Sequence, residues 1–130
     1  MSSSSAGSGM TVQAVRGAIM VEVDTAVAIR QASLRLAEEV RRRNQLEQAD
    51  VISIILSMTR DLTTGHPATA LRLGGYGDAP LFCVQEAYVV GQPSRVIRIM
   101  ITYRTPRRRA AVPVYLDGAE ALRPDLFGGP

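Results

Sequence analysis

Residues 81–103, LFCVQEAYVVGQPSRVIRIMITY, hold two apolar runs joined by a Gly-Gln-Pro turn. β-Branched and aromatic residues dominate both runs, so the reading is two strands, residues 81–90 and 94–103. Arg98 interrupts the second run, V-I-R-I-M-I, and a guanidinium taken out of water must be paired or must bind an anion. Alternation puts Phe82, Val84 and Glu86 on one face of the first strand, with Leu81, Cys83 and Gln85 on the other. Val96, Arg98 and Met100 share a face of the second. The expectation is that Arg98 and Glu86 face one polar pocket, where the arginine fork would suit carboxylates or an ether oxygen.

Upstream, residues 11–22 (TVQAVRGAIMVE) read as a strand, with Gly17 marking a bulge or a close backbone approach. The residues alone allow Arg16 to be either a solvent-facing edge arginine, the commoner case, or a side chain re-aimed at that irregularity. Asp24 and Thr25 are N-cap candidates for a helix reaching about Arg43 and ended by Asn44. Ile29, Ser33, Leu36 and Val40, widened by Ala26, Ala32 and Ala37, form its apolar stripe, and its charges lie largely on the opposite face. Residues 51–58 (VISIILSM) read as a strand buried on both sides. Residues 59–67 break the pattern, Pro67 opens a short helix, PATALRL, and Gly74-Gly75 end it. Residues 104–109 (RTPRRR) read as a basic solvated loop, 112–116 as a last strand and 119–126 as a tail with a proline stop. The fold class expected is α+β, a mixed sheet packed with one long amphipathic helix and a short one. Residues 1–10 (MSSSSAGSGM) are expected to be a flexible leader, with the domain over 11–127.

Composition narrows the function. The 130 residues are 46% hydrophobic and 21% charged, an ordinary single globular domain. One cysteine suits a reducing cytoplasm, no apolar run reaches the ~20 residues of a membrane span, and the N-terminus lacks a signal-peptide pattern. A net charge of +3 fits a small anionic ligand as readily as nucleic acid, and two Phe, four Tyr and no Trp leave little stacking surface for single strands. One His and one Cys cannot build a tetrahedral zinc site, and there is no phosphate-binding glycine loop or activated nucleophile. An enzyme with this inventory works by binding and fixed charge.

Several blocks together resemble the monofunctional chorismate mutases of the small trimeric type found in Bacillus. They are VRGAI (15–19), Thr59–Leu62 (TxDL), HPA (66–68), CVQE (83–86), RVIRIM (95–100), VYL (114–116) and ALRPDL (121–126), in family order and with near-identical spacing across about residues 12–126. The resemblance implies a pseudo-α/β-barrel homotrimer with active sites in clefts between subunits. It implies the Claisen rearrangement of chorismate to prephenate without cofactor or metal. It implies Arg98 at the ether oxygen, Arg16 on a substrate carboxylate and near the ether, and Glu86 on the ring hydroxyl. Cys83 would line that site, Tyr115 would contact a carboxylate, Arg72 and Arg123 would lie at the mouth, and Phe82 would lie in a stretch whose backbone touches substrate. Arg72 and the His66 loop would reach in from a neighbouring subunit.

The chain departs from the family pattern at Arg60, usually Pro, at His66, usually aromatic, and at Thr69, often Lys. It departs again at Phe82, which is bulkier, and at Val112-Pro113, usually Arg-His, in a loop one residue shorter. These surround the cleft, while Arg16, Glu86, Arg98 and Tyr115 stand. The alternatives weighed are a member repurposed for a chorismate-like dicarboxylate or another pericyclic step of secondary metabolism, and a non-catalytic binder of small anions. A nucleic-acid partner resting on the basic loop is the weakest reading.

Overall fold

A computed structural model describes residues 9–106 and 110–127. Five strands form one mixed sheet: β1 (Thr11–Met20), β2 (Val51–Met58), β3 (Leu81–Gln85), β4 (Val96–Thr105) and β5 (Val114–Leu116), in the order β3-β2-β4-β1-β5. β4 runs antiparallel to both β1 and β2, whereas β3 lies parallel to β2 and β5 parallel to β1. The α+β reading holds. Two helices, α1 (Ala26–Arg43) and α2 (Pro67–Leu71), cover a single face of the sheet.

Helix α1 forms where its apolar period was read. Ile29, Ser33, Leu36, Ala37 and Val40 are buried, although Ala26 is exposed and Ala32 only half-buried. Thr25 is the N-cap, its hydroxyl accepting from Ala28 N at 3.1 Å. Asp24 is not a cap. Its carboxylate accepts from the backbone and hydroxyls of Thr63 and Thr64, tying the loop after β2 to the start of α1. These bonds, the Thr64 hydroxyl foremost, hold its acid below the usual carboxylate range. Asn44 ends the helix, and its side-chain amide brackets Val112 through N–H to O at 3.0 Å and O to N–H at 2.7 Å.

The core lies between α1 and one sheet face. Val15 and Ile19 of β1, Ile54 and Leu56 of β2, Ile97, Ile99 and Ile101 of β4, and Val114 of β5 pack there with Leu36 and Val40. Each such fully buried aliphatic side chain contributes on the order of 1.5–3 kcal/mol. Gly17 makes the close approach possible: a Cβ there would sit 2.8 Å from Val114 O and 3.1 Å from both Leu36 and Val40. The β1–β4 ladder runs unbroken past it, so Gly17 marks close packing and not a bulge. The β2–β4 register shifts instead between Val51 and Ser53 of β2.

Six expectations are corrected. β2 is central but buried on one side only, because both helices sit on the other side from Ile55, which is exposed. The strand expected over 81–90 stops at Gln85, and its successor starts at Val96, not at 94. Gly91 at φ +89° and Arg95 at φ 53° turn the chain between them, and Arg95 N donates to the Asp61 carboxylate at 2.9 Å. β5 starts at Val114 because Pro113 has no N–H to give a ladder and Val112 is taken by Asn44. The first strand ends at Met20, and β4 carries Arg104 and Thr105 out of the expected basic loop. Arg107, Arg108 and Arg109 of that loop, and positions 1–8 of the expected leader, lie outside the described residues.

Candidate active site

The sheet's second face carries the polar residues that the core excludes. Register places one row straight across it: Val84 of β3, Ser57 of β2, Arg98 of β4, Ala18 of β1 and Tyr115 of β5. The next row on the same face holds Phe82, Ile55, Met100 and Arg16. Arg98 is flanked by Ser57 and Ala18, two of the smallest side chains in the sheet, which leaves room for its guanidinium. A groove of about 260 Å³ opens there, lined by Arg16, Ile55, Ser57, Arg98, Met100 and Tyr115 among others.

Glu86 follows the last residue of β3 and stays anchored to β2, its N–H donating to Met58 O at 2.8 Å. Its side chain turns onto the open face. Arg98 Nε lies 2.8 Å from Glu86 Oε1, and the Ser57 hydroxyl donates to that same oxygen at 3.0 Å. The Arg98 contact is an ion pair by distance, but its N–H is not directed at the oxygen, and Nε is buried without a hydrogen bond. A cation so held, half-satisfied and partly desolvated, is prepared to accept a further negative partner.

The chain's tail closes one side. The Arg123 guanidinium grips Asp125 with bonds of 3.0 and 2.8 Å and also meets the Tyr115 hydroxyl. Both partners, Asp125 first, raise its already high pKa, so it is cationic at every accessible pH. The Phe127 ring stands edge-on to Tyr115 at 5.6 Å.

Of the residues singled out in sequence, Arg16, Glu86, Arg98 and Tyr115 come together on this face, with Arg123 beside Tyr115 and Phe82 one row away. Cys83 does not join them. β3 is regular, so its thiol points to the helix-covered side, packs against the core and lies near Ala68, and burial pushes its pKa up. His66, Thr69 and Arg72 belong to α2 and the turn that continues it, and all three are exposed. His66 caps that helix, its Nδ1 accepting from Thr69 N at 3.4 Å. Ser57 was missed, although a hydroxyl inside VISIILSM is the same kind of signal as the arginine inside VIRIMI. Thr59 and Asp61, expected in the loop after β2 and as part of the TxDL block but with no role given, fix the start of β4: Val96 N donates to Thr59 Oγ1 at 3.0 Å, beside the Asp61 bond to Arg95.

The arrangement offers two guanidinium groups, a third at the rim, one carboxylate and one phenol around an open groove. Among the described residues no three His, Cys, Asp or Glu side chains cluster to hold a metal. It can bind an anion with more than one acidic group and stabilise charge that develops beside Arg98.

Comparison with known proteins gives one consistent answer. The family model described as chorismate mutase type I matches residues 12–126. Chorismate mutase AroH of Bacillus subtilis (strain 168) is 38% identical over 119 residues, covering 90% of this chain and 94% of that protein. Chorismate mutase AroH of Thermus thermophilus is 38% identical over 117 residues, covering 88% and 96%. Among solved structures, a chorismate mutase from Clostridium thermocellum superposes with a TM-score of 0.78 at 35% identity, covering 84% of this chain and 98% of that one.

Proposed function

The chain belongs to the type I chorismate mutase family, and on that premise we propose how its own residues carry out the rearrangement of chorismate to prephenate. It is a chorismate mutase, an isomerase. The matches run through the whole fold at a level that does not favour a repurposed member or a non-catalytic binder.

In the proposed mechanism Arg98 sits beside the ether oxygen of the substrate. That bond breaks as the new carbon–carbon bond forms, and negative charge gathers on the oxygen in the transition state. A fixed cation there stabilises the transition state more than the substrate, which is the condition for raising kcat. Arg16 and Tyr115 take the carboxylates, with Arg123 at the rim, and Glu86 accepts the ring hydroxyl. No proton transfer, nucleophile or cofactor enters. The observation that carries this reading is the Arg98–Glu86 pair at 2.8 Å on an open face, flanked by Ser57 and Ala18. Substrate would slide between the two charges, the ether oxygen engaging the underused Nε–H and the hydroxyl engaging the carboxylate.

The working unit we propose is a homotrimer of the domain over residues 11–127, acting in the cytoplasm. Two observations support the trimer. Phe82, Ile55, Val84 and Met100 leave an apolar patch on the open face, 62%, 40%, 40% and 36% exposed. His66, Thr69 and Arg72 are exposed and lie away from this chain's groove, where a neighbour's groove could receive them. The single cysteine suits a reducing compartment, and among the described residues no helix is long and apolar enough to cross a membrane.

The test is product identity. Purified protein incubated with chorismate alone should consume it and yield an isomer of the same mass that converts in acid as prephenate does. Chorismate left unchanged, or converted to a product of different mass, would overturn the reading.

A further inference from the structure

Glu86 has a fixed backbone and an unfixed side chain. Its N–H is held by Met58 O, but β3 ends at the residue before it, and among the described residues two polar contacts, both on one oxygen, locate the carboxylate. One is Arg98 Nε at 2.8 Å, the other the Ser57 hydroxyl at 3.0 Å. These two contacts do not have the same fate during the reaction proposed above. When the Arg98 Nε–H engages the ether oxygen, the attraction it offers Glu86 Oε1 is shared and weakens. Ser57 has no such second duty. Its Oγ can keep Oε1 while Oε2 remains free for the substrate hydroxyl.

We propose that Ser57 is a positioning residue for this reaction, holding Glu86 through Oε1 so that the carboxylate is already aimed when substrate arrives. The proposal rests on the reading of Arg98 and Glu86 as the two ends of the substrate site. The fold supports the assignment independently of sequence comparison. Ser57 lies directly across β2–β4 from Arg98 and directly beside Val84 on β3, two residues before Glu86. An alanine at 57 would leave the strand and its packing in place while removing the donor. The carboxylate would then sample several rotamers once Arg98 released it.

Three variants decide the matter in the chorismate-loss assay: Ser57→Ala, Ser57→Thr, and Ser57→Ala combined with Glu86→Ala. Hydrogen bonds to charged groups predict a fall in kcat/KM of roughly tenfold or more for Ser57→Ala, with the thermal melt unchanged. Ser57→Thr keeps the hydroxyl and should recover most of the rate. In the Glu86→Ala background the same Ser57→Ala change should cost less than about twofold, because a residue acting through Glu86 has nothing left to position. An equal loss in both backgrounds, no loss in the native background, or a folded Ser57→Thr as slow as Ser57→Ala would each overturn the proposal. These failures are separable from failure of the functional reading. If Ser57 is silent while Arg98→Ala collapses turnover, the reading stands and the positioning role falls. If the native protein leaves chorismate untouched, the reading itself falls.

Discussion

The two faces of the sheet are built from the same strands and do opposite things. On the helix-covered face Leu56 and Ile97 are fully buried, with Ile54 and Ile99 close to it, all in the one core beneath the helices. One residue along in each strand, Ser57 and Arg98 face outward with Glu86, Arg16 and Tyr115. Alternation with period 2 is enough to separate stability from chemistry within eight-residue and ten-residue strands. It also couples them, because a slip of one residue would drive Arg98 into the core and lift Ile97 or Ile99 out of it. The covered face thereby fixes the register that places the charges on the open one.

That division can be broken from either side, and the outcomes should not mix. Leu36→Ala, under the helix, should cost about 2–5 kcal/mol of stability, read by urea denaturation, while turnover per folded molecule stays near the native value. Glu86→Ala, on the open face, should lower kcat/KM by about a hundredfold, close to 2.7 kcal/mol at tenfold per 1.36 kcal/mol, with little change in melting. Val84→Lys puts a charge in the exposed apolar patch without touching the core. It should shift sedimentation from the proposed trimer toward monomer and reduce activity with it. Thr25→Ala removes the cap of α1 and should cost about 1 kcal/mol, visible in melting but not in kcat.

A smaller effect separates the faces by pH. Tyr76 is buried, and its hydroxyl donates to Glu38 Oε1 at 2.6 Å. Burial first, then this carboxylate, raises its pKa from 10.0 to about 12. A raised pKa in the folded state means the phenol's contribution is fully present below pH 10 and disappears between pH 10 and 12. Denaturation midpoints should fall across that window in the native protein and fall less in Tyr76→Phe.

Much of this was legible in the residues. Helix α1 was readable because Ile29, Ser33, Leu36 and Val40 keep one period over three turns, and the Arg98–Glu86 meeting followed from alternation plus a charge set in each of two apolar runs. What alternation cannot supply is the order of the strands. That depends on contacts distant in sequence, so the one-sided burial of β2 was invisible, since an apolar Ile55 reads the same under a helix or in the open. The starts of β5 and β4 were also misplaced, because Asn44 takes Val112 just before β5 and Asp61 takes Arg95 N just before β4, and both partners lie elsewhere in the sequence. Cys83 shows the converse. Local alternation put it opposite Glu86, and the strand does keep it there.

The most direct test follows the ultraviolet absorbance of chorismate with native protein and Arg98→Ala at equal concentration, beside a thermal melt of each. The account predicts that the native protein consumes chorismate without additives. It predicts that Arg98→Ala melts like the native protein and is slower by at least the roughly 10²–10³-fold expected for one lost transition-state donor. A folded Arg98→Ala that turns over chorismate at the native rate would contradict it.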